Sequence, residues 1–231
     1  MSGMIDRLIN VVGQIPEAMR TSRAARYSAL ALSGVIFYLL IGQIVDPGFT
    51  HYWWYQLAQT SMTLVIVLLL DAAFVEEGGM AWQTHALVVA ATLADTLGTA
   101  GHMYARWGPY DKVVHFSSGA AFAAATYQAL WFMEQRGELS LSPTRRALIA
   151  VGISFLLAGI IWETYEYLGD QIFSSGRQYG WGDTIGDLIA DFCGAIVAVV
   201  IMTVAVSNQK GRQPAHQPRR PAAAPIEDPL S

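Results

Sequence analysis

The stretch DTIGDLIADFCGAIVAVVIMTVAV, residues 183–206, decides the fold class of this chain. It is apolar over the roughly 20 residues that a helix needs to cross the hydrocarbon core of a membrane. It also begins with three acids at intervals of four residues, Asp183, Asp187 and Asp191, which places them on one face of a helix. Because a charge close to hydrocarbon is costly, we expect this transmembrane helix to turn its acidic face towards a polar site.

The composition of the whole chain agrees with a membrane protein. Of the 231 residues, 53% are hydrophobic and only 14% are charged. Five more apolar stretches of similar length precede the quoted one, at residues 27–45, 53–75, 84–103, 112–133 and 146–168. The sequence therefore predicts an all-α fold, a polytopic integral membrane bundle of about six transmembrane helices at residues 27–206. The net charge of −4, with no basic stripe, argues against nucleic acid as a partner.

The two ends of the chain differ from this bundle. Residues 1–26 include Ile5, Leu8, Ile9 and Val12, whose spacing indicates either an amphipathic helix lying on the membrane surface or the start of the first span. Residues 207–231 are rich in proline, glutamine, alanine and arginine, and they are predicted to form a disordered cytoplasmic tail.

The basic residues predict the orientation of the bundle, because lysine and arginine are concentrated in cytoplasmic segments. With six spans and the N-terminus in the cytoplasm, only three of the 14 basic residues lie in outer segments, namely Arg106, Lys112 and Arg177. We therefore expect both termini in the cytoplasm.

Nine ionisable residues lie within or at the ends of the last four spans, and this orientation places all of them towards the outer face. They are Asp95, His102, Asp111, His115, Glu163, Glu166, Asp183, Asp187 and Asp191. So many carboxylates cannot all stay ionised in a medium of low dielectric constant, because like charges raise each other's pKa. A metal ion, bound protons, or the cations Lys112 and Arg106 must therefore balance their charge.

A divalent metal ion is the compensating charge that we favour. Helical bundles build metal sites from acids and histidines one turn apart on facing helices. Oxygen ligands suit Mg²⁺, Ca²⁺ or Mn²⁺, while imidazole extends the range to Fe or Zn²⁺. The predicted ligands are His102, Asp111, His115, Glu163, Glu166, Asp183 and Asp187. Asp191, with Asp95 as its rival, is predicted to orient a ligand such as His102 or His115.

Simpler interpretations exist for several of these residues. Asp111 and Asp183 stand where a helix N-cap is expected. Glu163 or Glu166 could instead form a structural ion pair with a nearby cation such as Lys112. The remaining histidines lie outside the cluster and are interpreted as ordinary interfacial or tail residues; they are His51, His85 and His216.

Three motifs in this part of the chain resemble those of the YjdF-like bacterial inner-membrane proteins. Residues 110–116, YDKVVHF, with Gly119 behind them, are similar to their Tyr-Asp-Arg-x-x-His-Phe-x-x-Gly segment. Residues 163–167, ETYEY, resemble their Glu-x-x-Glu-Trp, and residues 183–187, DTIGD, resemble their Asp-Thr-x-x-Asp helix. The first segment is also similar, more loosely, to VanZ-like membrane proteins. The resemblance implies a helical fold in the bacterial inner (plasma) membrane, and it implies no particular activity.

Three functions are compatible with these features. We favour a metal-binding membrane protein that, if it is an enzyme, acts on a lipid or lipid-linked headgroup at the outer leaflet, with membrane lipid as its main partner. The alternative is an ion- or proton-coupled transporter in which Asp183, Asp187 and Asp191 form a relay. The third is an accessory subunit of a larger membrane complex, and a homo-oligomer is compatible with the same residues.

Overall fold

The structure, a computed structural model, describes residues 2–46, 53–173 and 180–210. Within these ranges the chain forms helices and their connections and contains no strand, so the all-α prediction is confirmed. The helices are α1 (Ser2–Gly13), α2 (Ile15–Thr21), α3 (Arg23–Val45), α4 (Trp53–Ala73), α5 (Trp82–Ala100), α6 (Met103–Arg106), α7 (Tyr110–Gln135), α8 (Pro143–Ser154), a π-helical segment (Phe155–Ile161), α9 (Trp162–Phe173) and α10 (Trp181–Lys210). Arg177, His51 and the predicted tail beyond Lys210 lie outside the described residues.

The N-terminal residues form helices of their own. Ser22 separates α2 from α3, and its hydroxyl accepts a hydrogen bond of 3.0 Å from the backbone amide of Ala25, as an N-cap does. The first span therefore begins at Arg23, and α1 is not its continuation. The apolar side chains of α1, such as Leu8 and Ile9, are more than half exposed. An interfacial position for α1 stays a prediction.

Within the described ranges, four helical stretches are long and apolar enough to cross a membrane. They are Arg23–Val45, Trp53–Ala73, Pro143–Ile172, which joins α8, the π-helical segment and α9, and Trp181–Ser207. The third and fourth predicted spans correspond to α5 and α7, which have the length of a span. Their apolar runs are interrupted by polar residues that are buried inside the bundle, among them His85, Thr92, His115 and Gln128. The count of six spans is therefore not established by composition, because the buried polar residues of α5 and α7 lower the hydropathy of these two helices.

Helix α7 lies at the centre of the bundle and packs against α5, α8 and α10. Its approach to α10 is close because two glycines face the opposite backbone. A methyl group added at Gly119 would overlap the carbonyl of Asp191, and one added at Gly194 would overlap the carbonyl of Phe116. Small residues at a helix interface permit such contacts in membrane proteins. This contact sets the spacing between the ionisable residues of α7 and those of α10.

The end of the bundle at which α7 stops is held by two arginines. The buried guanidinium of Arg146 pairs with Glu134 at 2.6 Å and lies over the ring of Tyr127. Arg136, at the end of α7, pairs with Glu77, and the carboxylate of Glu77 raises the pKa of this guanidinium. These contacts fix the ends of α4, α7 and α8 relative to one another.

The close approach of α7 and α10 predicts unequal effects of glycine substitutions. Gly194→Ala should destabilise the folded protein by about 1–3 kcal/mol, the usual cost of overpacking, because neither backbone can yield locally. Gly152→Ala is the matched control, since no atom lies within 4 Å of the added methyl group. Thermal unfolding of the two variants in detergent measures the difference. Equal unfolding temperatures would show that the two helices are not closely packed.

Candidate metal centre

His115 is the centre of a buried cluster of charged side chains. Its Nδ1 atom lies 3.0 Å from Oδ2 of Asp191, and both side chains are almost completely buried. Its Nε2 atom lies 3.7 Å from Oδ1 of Asp187 and 3.9 Å from oxygens of Asp111 and Glu163. These last distances are too long for hydrogen bonds. The imidazole therefore has one nitrogen held by Asp191 and the other facing three carboxylates.

Three helices supply these side chains. Asp111, Lys112 and His115 come from the first two turns of α7, and the acids of α10 are spaced by one turn, so each set lies on one helix face. Glu163 is the second residue of α9, which follows directly after the π-helical segment. The hydroxyl of Ser154, the last residue of α8, donates to the carbonyl of Gly119, which fixes this region against α7. π-Helical turns occur frequently at functional sites.

Lys112 supplies part of the positive charge that the acids require. Its Nζ atom lies 2.5 Å from Oδ1 of Asp183 and 2.7 Å from Oδ1 of Asp187, and 3.6 Å from Oδ2 of Asp111. The lysine stem passes over Gly186, where a methyl group would lie 2.9 Å from Cε. One cation thus touches three of the acids from the exposed side of the cluster.

The N-cap interpretation of Asp111 and Asp183 does not hold, and Lys112 is not the partner of Glu163 or Glu166. Asp111 and Asp183 are not N-caps, because Pro109 precedes α7 in that position and α10 already begins at Trp181. Lys112 pairs with the acids of α10 and with Asp111, and not with Glu163 or Glu166. Glu166 instead accepts a hydrogen bond of 3.0 Å from the indole of Trp162.

Two overlapping sets of side chains could hold a metal ion. In each set, one donor atom per residue lies within 4.8 Å of the others: Asp111, His115 and Asp187 form one set, and His115, Glu163 and Glu166 form the other. Oε1 of Glu163 is buried and has no hydrogen-bond partner among the described residues. Buried polar atoms are almost always satisfied, so this oxygen fits a ligand that the protein itself does not provide. The donor set of carboxylates and one imidazole suits a divalent cation.

The structure does not bring His102 or Asp95 into this cluster. His102 is exposed and has a left-handed backbone with φ 54° in the turn before α6. Asp95, on α5, is buried and accepts two hydrogen bonds, one of 3.0 Å from Gln56 on α4 and one of 2.7 Å from the hydroxyl of Tyr104 on α6. Burial, followed by the charge of Asp95, raises the pKa of Tyr104, which keeps this hydroxyl protonated and able to donate. Asp191, and not Asp95, is the acid in contact with a histidine here.

A second buried cluster, which we call the His85 cluster, consists of Ser28, Asp71 and His85. Nε2 of His85 lies 3.0 Å from Oδ2 of Asp71, and Nδ1 lies 3.0 Å from the hydroxyl of Ser28. Oδ1 of Asp71 accepts a hydrogen bond of 2.8 Å from the backbone amide of Met80. The interpretation of His85 as an ordinary interfacial residue is therefore wrong. The sequence does carry a signal for this contact. An acid lies in the last turn of one apolar stretch and a histidine lies in the first turn of the next, and these two turns meet when the helices pack antiparallel.

The comparison with protein families decides the class of this chain. Residues 28–208 match the model of a family described as "Predicted membrane protein (DUF2238)". The chain belongs to this family. No curated protein and no solved structure matches it. The DUF2238 match agrees with the apolar helices and includes every residue of both buried clusters. The family description gives no activity.

The His85 cluster predicts a stability effect. Asp71→Asn keeps the size of the side chain and removes the charge that faces His85, and loss of one partner from a buried pair costs about 3–5 kcal/mol. We expect a clear fall in the unfolding temperature of the detergent-solubilised protein. Glu76→Gln is the control, since Glu76 is exposed three residues after the end of α4. An unfolding temperature unchanged by Asp71→Asn would mean that the pair does not support the fold.

Proposed function

We propose that this DUF2238 protein binds a divalent cation between α7, α9 and α10. The observation that carries the proposal is the environment of His115, whose Nε2 atom faces Asp111, Asp187 and Glu163 while Asp191 holds Nδ1. A histidine that binds a metal usually donates its other nitrogen to a carboxylate, which fixes the tautomer and the ring orientation. The pair of His115 and Asp191 has this arrangement.

The charge of the cluster supports the same proposal. Six carboxylates, from Asp111, Glu163, Glu166, Asp183, Asp187 and Asp191, lie around His115 and Lys112. Among the carboxylates that the structure describes, the ammonium group of Lys112 contacts those of Asp111, Asp183 and Asp187. Excess negative charge in a poorly hydrated region favours a bound cation. His115, Asp111, Asp187, Glu163 and Glu166 are the ligands that the geometry favours, with Asp183 neutralised by Lys112.

A bound cation would allow this site to act chemically on a lipid headgroup. Such an ion polarises a phosphoryl or carbonyl oxygen and lowers the pKa of a bound water. A carboxylate of the cluster that does not bind the ion would accept the proton of this water. Asp191 would keep His115 oriented throughout. We propose hydrolysis or transfer of a lipid-linked headgroup as the reaction class.

The position of the protein in the cell is also a proposal. We propose six spans, with α5 and α7 crossing the membrane inside the bundle, both termini in the cytoplasm and the His115 cluster towards the outer face of a bacterial inner membrane. The distribution of basic residues supports this orientation. The resemblance to YjdF-like proteins supports only the location in the inner membrane. A membrane-impermeant thiol reagent applied to intact cells should label Gly108→Cys and spare Glu138→Cys. The reverse pattern would invert the orientation.

Ion or proton transport is the second candidate, because the His85 cluster supplies the ionisable group near the opposite end that a relay would need. Both ring nitrogens of His85, however, face groups of the protein: Nδ1 lies 3.0 Å from the hydroxyl of Ser28, and Nε2 lies 3.0 Å from Oδ2 of Asp71. Oδ1 of Asp71 accepts a hydrogen bond from the backbone amide of Met80. We therefore rank transport below a metal site. Proteoliposome flux that survives both Asp187→Asn and Asp191→Asn would remove this candidate.

Metal content tests the proposed site directly. Protein purified in detergent should hold a divalent cation, and His115→Ala should abolish binding, because it removes the ligand common to both sets. Asp191→Asn should weaken binding by about 10–100-fold, the usual effect of a residue that orients a ligand. Elemental analysis and titration with Mn²⁺ or Zn²⁺ give both values.

Two variants serve as controls for this experiment. His102→Ala should leave metal affinity unchanged, since His102 is exposed and outside both sets of donor atoms. Glu138→Gln, at an exposed position between α7 and α8, controls for loss of an acid. A stoichiometry well below one that His115→Ala does not alter would reject the site. Loss of metal in His102→Ala would restore the ligand set predicted from the sequence.

A further inference from the structure

A cavity of about 300 Å³ lies beside the His115 cluster. Its walls include residues of α4, α5, α7 and the π-helical segment. The imidazole of His115 lines the cavity and also belongs to the cluster. Most of the lining side chains are apolar, for example Val67, Leu70, Val88 and Phe122. The volume lies at the lower end of the roughly 300–1,000 Å³ found for ligand pockets.

The cavity is elongated along the bundle. On α7 it reaches from His115 to Ala125, and on α5 it reaches from Asp95 back to His85. Ten residues of helix correspond to about 15 Å in each case. This length is about half of the roughly 30 Å hydrocarbon core of a membrane. The shape therefore fits a linear molecule with one end at His115.

Most polar side chains of the wall interact with other groups of the protein, whereas Oε1 of Gln59 is a buried oxygen without a hydrogen-bond partner among the described residues. Thr63 and Thr92 donate to backbone carbonyls of their own helices, and Thr84 donates to Gln128. His85 is held by Ser28 and Asp71, as described above, and Asp95 by Gln56 and Tyr104. A buried water needs two to four polar partners, and this wall offers few. The surface presented to the cavity is therefore suited to hydrocarbon.

The cavity also has walls that reach the outside of the bundle. Met62 and Ile66 on α4 are 60% and 46% exposed, and Phe122 on α7 and Leu157 in the π-helical segment are 43% and 37% exposed. All four line the cavity. In a membrane such apolar residues face lipid chains. A hydrocarbon chain could thus enter from the side without crossing a polar barrier.

We propose that this cavity holds one hydrocarbon chain of a membrane lipid whose headgroup lies at the His115 cluster. The assignment of the headgroup rests on the proposed function, whereas the chain site rests on the cavity alone. Apolar walls, the lateral exposure, the length and the shared residue His115 all point to the same occupant. The length and the volume of the cavity suit one chain better than a whole two-chain lipid.

Photocrosslinking in vesicles tests the chain site. The protein is reconstituted in phosphatidylethanolamine and phosphatidylglycerol that contain a phosphatidylethanolamine with a diazirine in one acyl chain. We expect adducts on cavity-lining residues of α4, α5 and α7 after illumination and mass spectrometry. Ala91→Leu, which fills the cavity from α5, should reduce these adducts by about tenfold, the change that 1.4 kcal/mol produces.

The matched control lies one residue away on the same helix. Ala90 is exposed and does not line the cavity, so Ala90→Leu should leave the adducts unchanged. Ala125→Leu fills the cavity from α7 and replaces Ala91→Leu if that variant unfolds at lower temperature than Ala90→Leu. Adducts that persist in both filled variants, or wild-type adducts confined to the outer surface of the bundle, would overturn the proposal.

Metal content measured on the same samples separates the two proposals. Ala91→Leu should lose lipid adducts and keep its metal, while His115→Ala should lose its metal and keep the adducts. Metal-free wild-type protein with adducts in the cavity would reject the metal site and leave the chain site standing. Metal-loaded wild-type protein without adducts in the cavity would reject the chain site and leave the metal site standing.

Discussion

The structure depends on the close approach of α7 and α10. Gly119 lies against the backbone at Asp191, and Gly194 lies against the backbone at Phe116, so the two helices meet without intervening side chains over this region. His115 is one turn before Gly119, and its Nδ1 atom therefore reaches Asp191 at 3.0 Å. This hydrogen bond turns Nε2 towards the acids of α7, α9 and α10. The candidate site follows from the helix contact.

Two buried acid–histidine pairs with the same bond length differ in what surrounds them. In the His85 cluster both imidazole nitrogens contact protein groups at 3.0 Å, one on Asp71 and one on Ser28. The pair is closed and is explained by the folded structure alone. At His115 one nitrogen stays 3.7–3.9 Å from its nearest carboxylates. That gap separates a candidate binding site from a structural pair.

The sequence predicted the class of fold and most of the cluster, because both follow from local spacing. Apolar length indicated helices, and intervals of three or four residues placed Asp111 with His115 and Asp187 with Asp191 on common faces. Spacing along a helix does not determine which neighbouring helix a face meets. For this reason the sequence could not tell that Asp95 would bond to Gln56 on α4, or that His102 would be exposed in a turn.

The His85 cluster shows that local spacing also fails to reveal a contact that does form between helices. Ser28, Asp71 and His85 come from three helices and are separated by up to 57 positions, so no local pattern joins them. His85 alone resembled an interfacial residue. Hydropathy does not determine the number of spans for a related reason. Helices α5 and α7 carry polar residues that are buried inside the bundle, and these residues lower the hydropathy of a helix whether or not it crosses the membrane.

Pulsed electron paramagnetic resonance of the Mn²⁺-loaded protein tests the central claim most directly, because it detects a nitrogen ligand of the bound ion. The geometry predicts nitrogen modulation from one imidazole in the wild-type protein. The signal should be retained in His102→Ala and lost in His115→Ala, with Asp191→Asn altering its coupling. Modulation that disappears in His102→Ala and persists in His115→Ala, or a bound ion with no imidazole signal, would contradict the assignment of His115 as the histidine of the site.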